Sequence, residues 1–301
     1  MSAAVIETAG LSKLYGRSHA VRNLNLSVTP GRITAFLGLN GAGKSTTIRM
    51  LLGMIRPTEG TGTVLGRSID DPAQSVALRA DVAYVSEDKR LYNYMTVEQM
   101  VRFTSGFFPG WREDLASALL RRYELPAKRK VRHLSKGMRT KLALLLAIAR
   151  RPALLILDEP SEGLDPRGVE QLLEALVAQC AEGTSVFFSS HQIEEVERIS
   201  DQICIIHQGR LAMDASLDEL RTSWRRVDAV LPGGPQPHDF TMRGVERLRT
   251  RGQQMSVVAS GNVDAIVARA RESGASTIDV TPVGLREIFL QTIEPDSIAE
   301  N

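Results

Sequence analysis

Short apolar runs alternate with amphipathic stretches through the first two thirds of the chain. An apolar run bounded by turn formers is typical of a strand buried on both faces, whereas apolar residues three or four positions apart are typical of a helix. From Ile33 to about Leu211 this alternation predicts a parallel α/β sheet, preceded by a small antiparallel sheet. The predicted strands are 5–10, 23–28, 32–37, 154–157 and 184–190, and the predicted helices include one that begins near 46 and one at 192–200.

Residues 87–150 interrupt the alternation. They carry helical periodicity together with aromatic and basic residues, without a clear strand pattern. We therefore expect an inserted helical subdomain at about 87–150.

The last quarter of the chain predicts a separate small module. A closing helix at 217–224 precedes the breaker cluster 232–237, which is rich in proline and glycine. We expect a main domain at 1–222 and a small C-terminal α+β accessory domain at 223–301, with a frayed tail at 295–301. The module's predicted strands are 227–231, 255–259 and 277–281, and its predicted helices are 263–273 and 284–292.

Composition limits the possible partners and compartments. A chain of 301 residues can form two cores, and its formal net charge of +2 gives no general attraction to nucleic acid, so we expect no nucleic-acid partner. Cys180 and Cys204 are too few for a disulfide framework and fit core positions in a reducing compartment. We expect no export signal, and the apolar run 142–149 is far shorter than the roughly 20 residues that span a bilayer. Any membrane role is therefore expected to come through a partner.

The segment 38–45 has the spacing of a phosphate-binding loop. Glycines let successive backbone N–H groups turn toward an anion, Lys44 adds a positive charge for the terminal phosphates, and Ser45 offers a hydroxyl to Mg²⁺. Because the segment joins a predicted strand to a predicted helix, the anion would lie at a helix N-terminus. We therefore expect a nucleoside triphosphate to bind at Gly38, Asn40, Gly41, Ala42, Gly43, Lys44, Ser45 and Thr46.

Two carboxylates, Asp158 and Glu159, end the buried-strand pattern at 154–157. Ligands of open α/β sheets bind beyond the carboxyl ends of the strands. Asp158 is placed to hold Mg²⁺, usually through water, opposite Ser45, and Glu159 to orient and deprotonate the water that attacks the γ-phosphate. Alone, the pattern equally fits a strand that meets solvent, but the upstream phosphate loop favours the catalytic interpretation.

A third strand pattern, 184–190, ends just before His191. Since all three strands would deliver polar groups to one sheet edge, His191 is expected to contact the γ-phosphate or the attacking water. A surface or helix-capping histidine is the structural alternative.

The segment 134–138, Leu-Ser-Lys-Gly-Met, resembles the signature motif of ATP-binding cassette (ABC) ATPases. Residues 162–165 resemble that family's D-loop, with Asp165, and Tyr15 matches the aromatic residue that stacks on adenine. The motifs follow the family's order over about residues 1–220. The resemblance implies an ABC-type P-loop NTPase fold with an antiparallel β-subdomain and an inserted helical subdomain, and the cofactors ATP and Mg²⁺.

The resemblance also implies a head-to-tail homodimer, with two ATP molecules held between the phosphate loop of one chain and the signature of the other. The signature residues Ser135, Lys136, Gly137 and Met138 would then face the γ-phosphate at a helix N-terminus, with the Ser135 hydroxyl and the Gly137 N–H as donors. Taken without the other motifs, Ser135 fits an ordinary helix N-cap equally well.

Three features depart from the family's usual pattern. Lys136 and Met138 stand where the signature usually has a second glycine and a glutamine. Glu87 stands where a magnesium-sensing glutamine is usual, and we expect it to ligate the metal as a charged group. The Lys-Gly-Met signature, the segment 91–92 and the ending at 284–290 resemble ABC-2-type, largely export, ATPase subunits whose membrane-spanning subunit is a separate polypeptide.

Two surface features have alternative interpretations. The basic run 128–132 fits contact with acidic lipid or nucleic acid, but the small net charge favours a solvated loop. Tyr92 and Tyr94 follow Glu87, where the family docks the coupling helix of its membrane subunit, while the neighbouring aromatic residues fit a subdomain core equally well.

The expected function is ATP hydrolysis that powers a separate permease: ATP closes the homodimer and hydrolysis reopens it. The subunit would then be cytoplasmic and peripheral at the membrane through the permease. A soluble ABC mechanoenzyme acting on ribosomes or nucleic acid typically has two cassettes or a long coiled-coil insertion, and neither pattern is present. The signature motif, and Glu159 directly after Asp158, argue against a P-loop kinase. A regulatory nucleotide-binding module is the third alternative.

Overall fold

The computed structural model describes residues 3–294, apart from the side chains of Ser75 and Pro237. Internal contacts divide the chain into two compact units, Met1–Asp214 and Ala215–Asn301. The helix at Leu217–Ser223 thus belongs to the second unit, and the division precedes the predicted boundary between 222 and 223. The predicted tail at 295–301 lies outside the described residues.

The strands, in chain order, are β1 (Ile6–Tyr15), β2 (Ser18–Leu24), β3 (Ser27–Val28), β4 (Ile33–Leu37), β5 (Glu59–Val64), β6 (Arg67–Ser68), β7 (Val82–Val85), β8 (Leu154–Asp158), β9 (Ser185–Ser190), β10 (Gln202–His207), β11 (Arg210–Ser216), β12 (Arg225–Val230), β13 (Val245–Arg251), β14 (Gln254–Ala259) and β15 (Thr277–Pro282). The helices are α1 (Lys44–Leu51), α2 (Pro72–Asp81), α3 (Val97–Ser105), α4 (Glu113–Arg122), α5 (Lys136–Ile148), α6 (Pro166–Ala181), α7 (Ile193–Ile199), α8 (Leu217–Ser223), α9 (Val263–Glu272) and α10 (Leu285–Ile293), with 3₁₀ turns at Val131–His133 and Pro237–Phe240.

Two sheets build the first unit. An antiparallel sheet has the order β2-β1-β5-β6, with β3 also paired to β1. The other sheet has the order β11-β10-β4-β9-β8-β7, and its strands β10, β4, β9, β8 and β7 are parallel. Every residue of β4, β8 and β9 is buried, as expected of parallel strands covered on both faces. The predicted α/β class, with a parallel sheet after a small antiparallel one, is confirmed.

Three strands of the antiparallel sheet are missing from the predicted set. Strands β5 and β6 are short and carry few apolar side chains, so they lack a clear strand pattern. Strand β2 lies mostly before the predicted strand 23–28, and the predicted strand is divided between the last two residues of β2 and the two residues of β3. Asn23 has a left-handed φ of 46°, and β2 ends one residue later.

The inserted stretch 87–150 is helical, with α3, α4 and α5 as its helices. Its described backbone contains no strand and a single isolated bridge, between Thr96 and Lys130. Thr96 caps α3 through a capping box with Gln99. Ser135 caps α5 by accepting a hydrogen bond from the Met138 N–H.

The second unit has its own sheet and core. The antiparallel order is β13-β14-β12-β15, and Ile266 and Ala270 of α9 join the sheet's apolar residues in one buried cluster. Strand β13 was not predicted because its sequence, Val-Glu-Arg-Leu-Arg-Thr-Arg, is mostly polar and buries only Leu248. The remaining elements agree with the α+β pattern of the sequence.

Phe240 is fully buried in the core of the second unit. Phe240→Ala is expected to lower that unit's free energy of unfolding by about 3–5 kcal/mol, because it removes apolar contact and leaves a cavity. Calorimetry of the full chain measures this, with the transition of the first unit as the internal reference. Leu290→Ala is the control, since Leu290 is 45% exposed; its effect is expected below about 1 kcal/mol. Equal losses in the two variants would contradict the core position of Phe240.

Candidate functional site

The phosphate-binding segment connects the end of β4 to the start of α1. Gly43, just before the helix, has a φ of 112°, which side chains other than glycine rarely adopt. A Cβ at Gly43 would lie 2.5 Å from the backbone oxygen of Ala20, so glycine alone fits here. The loop therefore lies at the N-terminus of α1, which is the positive end of the helix dipole and a place where backbone N–H groups bind anions. Ser45 and Thr46 follow in the first turn of α1.

Lys44 is buried at the start of α1. Its Nζ donates a hydrogen bond to the Gly38 carbonyl at 2.8 Å and lies 3.0 Å from Glu159 Oε1. The ammonium group is thus held against the loop that is expected to receive phosphate. A buried charge requires such a partner, because an unpaired ion in the protein interior is strongly destabilising.

The acidic pair lies at the carboxyl end of β8. Strand β9 runs between β4 and β8, so the ends of all three strands share one edge of the sheet. Asp158 is 1% exposed, and the Ser189 hydroxyl of β9 donates to its Oδ1 at 2.6 Å. The same Ser189 oxygen accepts a hydrogen bond from the Glu159 N–H at 3.0 Å. Ser189 therefore connects both acidic residues to the neighbouring strand.

Glu159 connects the phosphate loop to His191. Its Oε1 lies 3.0 Å from Lys44 Nζ as an ion pair, without meeting hydrogen-bond geometry, while its Oε2 lies 2.8 Å from His191 Nδ1. The backbone of Glu159 is left-handed, with a φ of 47°. The structure thus brings together Lys44, Glu159 and His191, which lie far apart in the chain.

Glu87 lies on the loop after β7, near this acidic group. Partial burial, and then repulsion by Asp158 and Glu162, raise the pKa of the Glu87 carboxyl. A divalent cation would relieve that repulsion. Within residues 3–294, no three His, Cys, Asp or Glu side chains converge as a metal cluster. The few carboxylates present suit Mg²⁺, since Mg²⁺ is commonly held by one or two carboxylates together with water and substrate phosphates.

The signature residues lie at the start of α5, next to the loop that follows β8. Lys136 Nζ lies 2.6 Å from Glu162 Oε1, and this hydrogen bond lowers the pKa of the Glu162 carboxyl. The Lys136 stem covers Gly163, where an added Cβ would lie only 2.5 Å from Lys136 Cδ. The unusual lysine therefore ties the signature to the D-loop of the same chain.

Asp165 and Tyr15 occupy separate places. Asp165 caps α6, with its Oδ1 accepting a hydrogen bond from the Gly168 N–H at 2.8 Å and Pro166 at the first helical position. Tyr15 ends β1 and is half exposed, with Lys13 Nζ 5.4 Å from the centre of its ring. An exposed ring at a strand end is able to stack on a base.

Two residues of the site were not predicted from the sequence. Ser189 lies inside a buried strand and resembles any small core residue. Lys89 lies in a run of charged residues that is typical of a solvated loop, yet it is 4% exposed and burial lowers the pKa of its ammonium group. Neither residue type carries a sequence signal for its position.

A glycine-rich loop at a helix N-terminus, with two carboxylates at the end of a nearby parallel strand, defines a P-loop nucleoside triphosphatase. The ABC transporter family profile matches residues 21–162. The Nod factor export ATP-binding protein I of Rhizobium johnstonii is 36% identical over 300 residues, 97% of this chain and 95% of the relative. The bacitracin transport ATP-binding protein BcrA of Bacillus licheniformis is 33% identical over 74% of this chain and 73% of its own. The chain belongs to the family of ABC transporter ATP-binding proteins.

Solved structures agree with this assignment. The ATP-binding subunit of an ABC transporter aligns with a TM-score of 0.66 and 33% identity over 72% of this chain and 92% of its own. A dimeric ATP-binding cassette, MJ0796 bound to ADP and Pi, shares the fold with a TM-score of 0.64 and 23% identity over 70% of this chain and 98% of its own. The chain is therefore an ATPase and the ATP-binding subunit of an ABC transporter, which excludes a kinase. In the described part of the chain, no helix has the length and hydrophobicity to cross a membrane.

Ser189→Ala tests the hydrogen bonds that hold the acidic pair. The variant leaves the buried Asp158 carboxylate and the Glu159 N–H with one partner fewer, so the free energy of unfolding of the first unit is expected to fall by about 1–3 kcal/mol. Urea unfolding measures the loss. Ser18→Ala, at an exposed serine of the same unit, is the control and should stay within about 0.5 kcal/mol of the parent. An unchanged Ser189→Ala protein would show that these hydrogen bonds do not stabilise the site.

Proposed function

We propose that this chain is the motor of an ABC-2-type exporter: ATP binding closes a homodimer, hydrolysis reopens it, and the motion passes to a separate membrane permease. Relatives named for Nod factor export and bacitracin transport support a role in export. On this proposal the chain is cytoplasmic and is held at the membrane surface by the permease.

The observation that carries the proposal is the group Lys44, Glu159 and His191 at one sheet edge. Glu159 is the general base that orients and deprotonates the attacking water, and His191 contacts the γ-phosphate or that water. The Lys44 ammonium group contacts the terminal phosphates, and the Tyr15 ring stacks on adenine. Bound Mg²⁺, which neutralises phosphate charge, would be held by Ser45, Asp158 and Glu87.

The second half of each ATP site comes from the other copy of the chain. The start of α5 presents Ser135, Lys136, Gly137 and Met138 on the surface, where the dipole of a 13-residue helix favours an anion. Ser135 also caps α5, so it keeps the chain's own helix end in place. The D-loop residue Asp165 lies at the adjoining loop and faces the same dimer interface. The C-terminal unit carries no phosphate-binding motif, and we assign it to dimer contacts or regulation.

An exposed aromatic patch supports docking of a permease. Tyr92, Tyr94, Phe103 and Phe107 form a chain of ring contacts with centroids 5.0–5.8 Å apart. Tyr94 and Phe107 are 67% and 64% exposed. Exposed aromatic side chains of this density are typical of protein interfaces. The patch adjoins a cavity of about 190 Å³ that is lined in part by Leu91, Met100 and Phe108. A short helix of the permease would bind in this cavity.

Glu159→Gln tests the catalytic assignment. The variant is expected to bind ATP but to turn over about 10²–10⁴ times more slowly, because a positioned general base is lost. It should accumulate as an ATP-bound dimer in gel filtration, while phosphate release measures its rate. Lys44→Ala is the contrasting variant and should lose nucleotide affinity. Turnover of Glu159→Gln at the parent rate would remove Glu159 from the catalytic role.

The double variant Tyr94→Ser, Phe107→Ser tests the docking patch. Each buried aromatic anchor of an interface is worth about 1–2 kcal/mol or more, so retention of the chain on membranes of its native host should fall at least about tenfold. The melting temperature should stay near the parent value because both rings are exposed. Val76→Ser, at another exposed apolar residue, is the control and should leave retention unchanged. Equal retention of all three proteins would show that the permease docks elsewhere.

A further inference from the structure

Lys89 is a buried cation that the chemistry above does not use. It lies on the loop after β7, is 4% exposed, and has a left-handed backbone with a φ of 45°. The carboxylate of Glu162, whose charge favours the Lys89 ammonium group, already forms an ion pair with Lys136. A buried ammonium group is costly, so its place in the fold calls for a physical reason.

The hydrogen bond of Lys89 goes to the backbone of the proposed catalytic residue. Its Nζ donates to the Glu159 carbonyl oxygen at 3.3 Å. On the other side of the same residue, the Glu159 N–H donates to Ser189 Oγ at 3.0 Å. The Glu159 carbonyl also accepts a hydrogen bond from the Glu162 N–H at 3.3 Å. Side chains therefore contact both backbone polar groups of Glu159, one from β9 and one from the loop after β7.

Glu159 needs such support because its backbone is strained. A residue other than glycine in the left-handed region, here at a φ of 47°, costs of order 1–3 kcal/mol and persists only where its surroundings hold it. In this conformation the carboxylate reaches Lys44 with one oxygen and His191 with the other. Relaxation of the backbone would turn the carboxylate away from both groups.

We propose that Lys89 is a positioning residue for hydrolysis: its ammonium group holds the Glu159 carbonyl and so keeps the Glu159 carboxylate aimed at the attacking water. This inference rests on the proposed role of Glu159 as general base.

The place of Lys89 also connects two surfaces. It lines the cavity next to the aromatic patch and a second cavity of about 240 Å³ that includes Glu87, Lys136 and Glu162. The loop that a docked permease would contact thus carries the side chain that holds Glu159. Displacement of this loop would remove the Lys89 contact and leave the Glu159 carbonyl with the Glu162 N–H alone, which gives docking a direct route to the hydrolytic step.

Two substitutions of Lys89 in the full chain test the proposal. Lys89→Met removes the donor with little change of volume and should lower kcat about 10–100-fold, the loss that a displacement of about 1 Å brings at a reacting group. KM and ATP affinity should stay within about threefold, because nothing is lost from the phosphate loop. Lys89→Arg keeps a charged donor, and the cavities beside it have room for the larger head group, so its kcat should stay within about tenfold of the parent.

Thermal melts separate positioning from a purely structural role. Lys89→Met removes the desolvation cost of a buried ammonium group, and the Glu159 carbonyl keeps the Glu162 N–H as a donor, so the variant should melt near the parent temperature. Lys128→Met, at an exposed lysine, is the control and should match the parent in kcat, KM and melting temperature. A Lys89→Met protein with the parent kcat overturns the proposal, as does one that loses melting temperature and ATP affinity together.

A double-mutant cycle with Glu159→Gln gives the sharpest test. If Lys89 acts through Glu159, adding Lys89→Met to Glu159→Gln should lower kcat by less than about twofold more, since residues that act as a unit are not additive. Full additivity of the two losses overturns the proposal. A slow Glu159→Gln with a normal Lys89→Met rejects only the positioning role, whereas a normal Glu159→Gln rejects the proposed base itself.

Discussion

Lys44 and Glu159 are both buried, and 3.0 Å separates the ammonium from the carboxylate. Either charge alone in this place would carry a large desolvation cost, so the segments that bear them must meet. The sheet order β4-β9-β8 meets this requirement, because one strand lies between the phosphate loop and the acidic pair. That middle strand supplies Ser189 to the backbone of Glu159 and leads to His191. The site therefore depends on the strand order as much as on the residues themselves.

A second set of contacts joins segments that are expected to face another copy of the chain. Lys136 pairs with Glu162 and lies over Gly163, so the start of α5 and the loop after β8 are linked within one chain. Ser135 and Asp165 each cap the helix that they precede. These caps are local and would form in a single chain. The surface that is expected to face a second copy therefore forms within a single chain.

The sequence predicted the parts of the molecule that carry strong local patterns. Strands β4, β8 and β9 are continuous apolar runs. The candidate site residues were placed at their carboxyl ends because ligands of open α/β sheets bind there. Strands β5, β6 and β13 were missed because polar side chains dominate them. Lys89 was missed for a different reason: its partner lies 70 residues away, and a lysine among charged residues gives no sign that the fold will bury it.

The left-handed backbone of Glu159 lowers the stability of this fold. Glycine at position 159 would remove the conformational strain, of order 1–3 kcal/mol, together with the carboxylate. The amino acid that best suits the backbone is thus unable to supply the proposed chemistry. Selection for stability and selection for turnover act in opposite directions at this one residue. A thermostabilised version of the chain would have to gain its stability elsewhere and leave this strained turn in place.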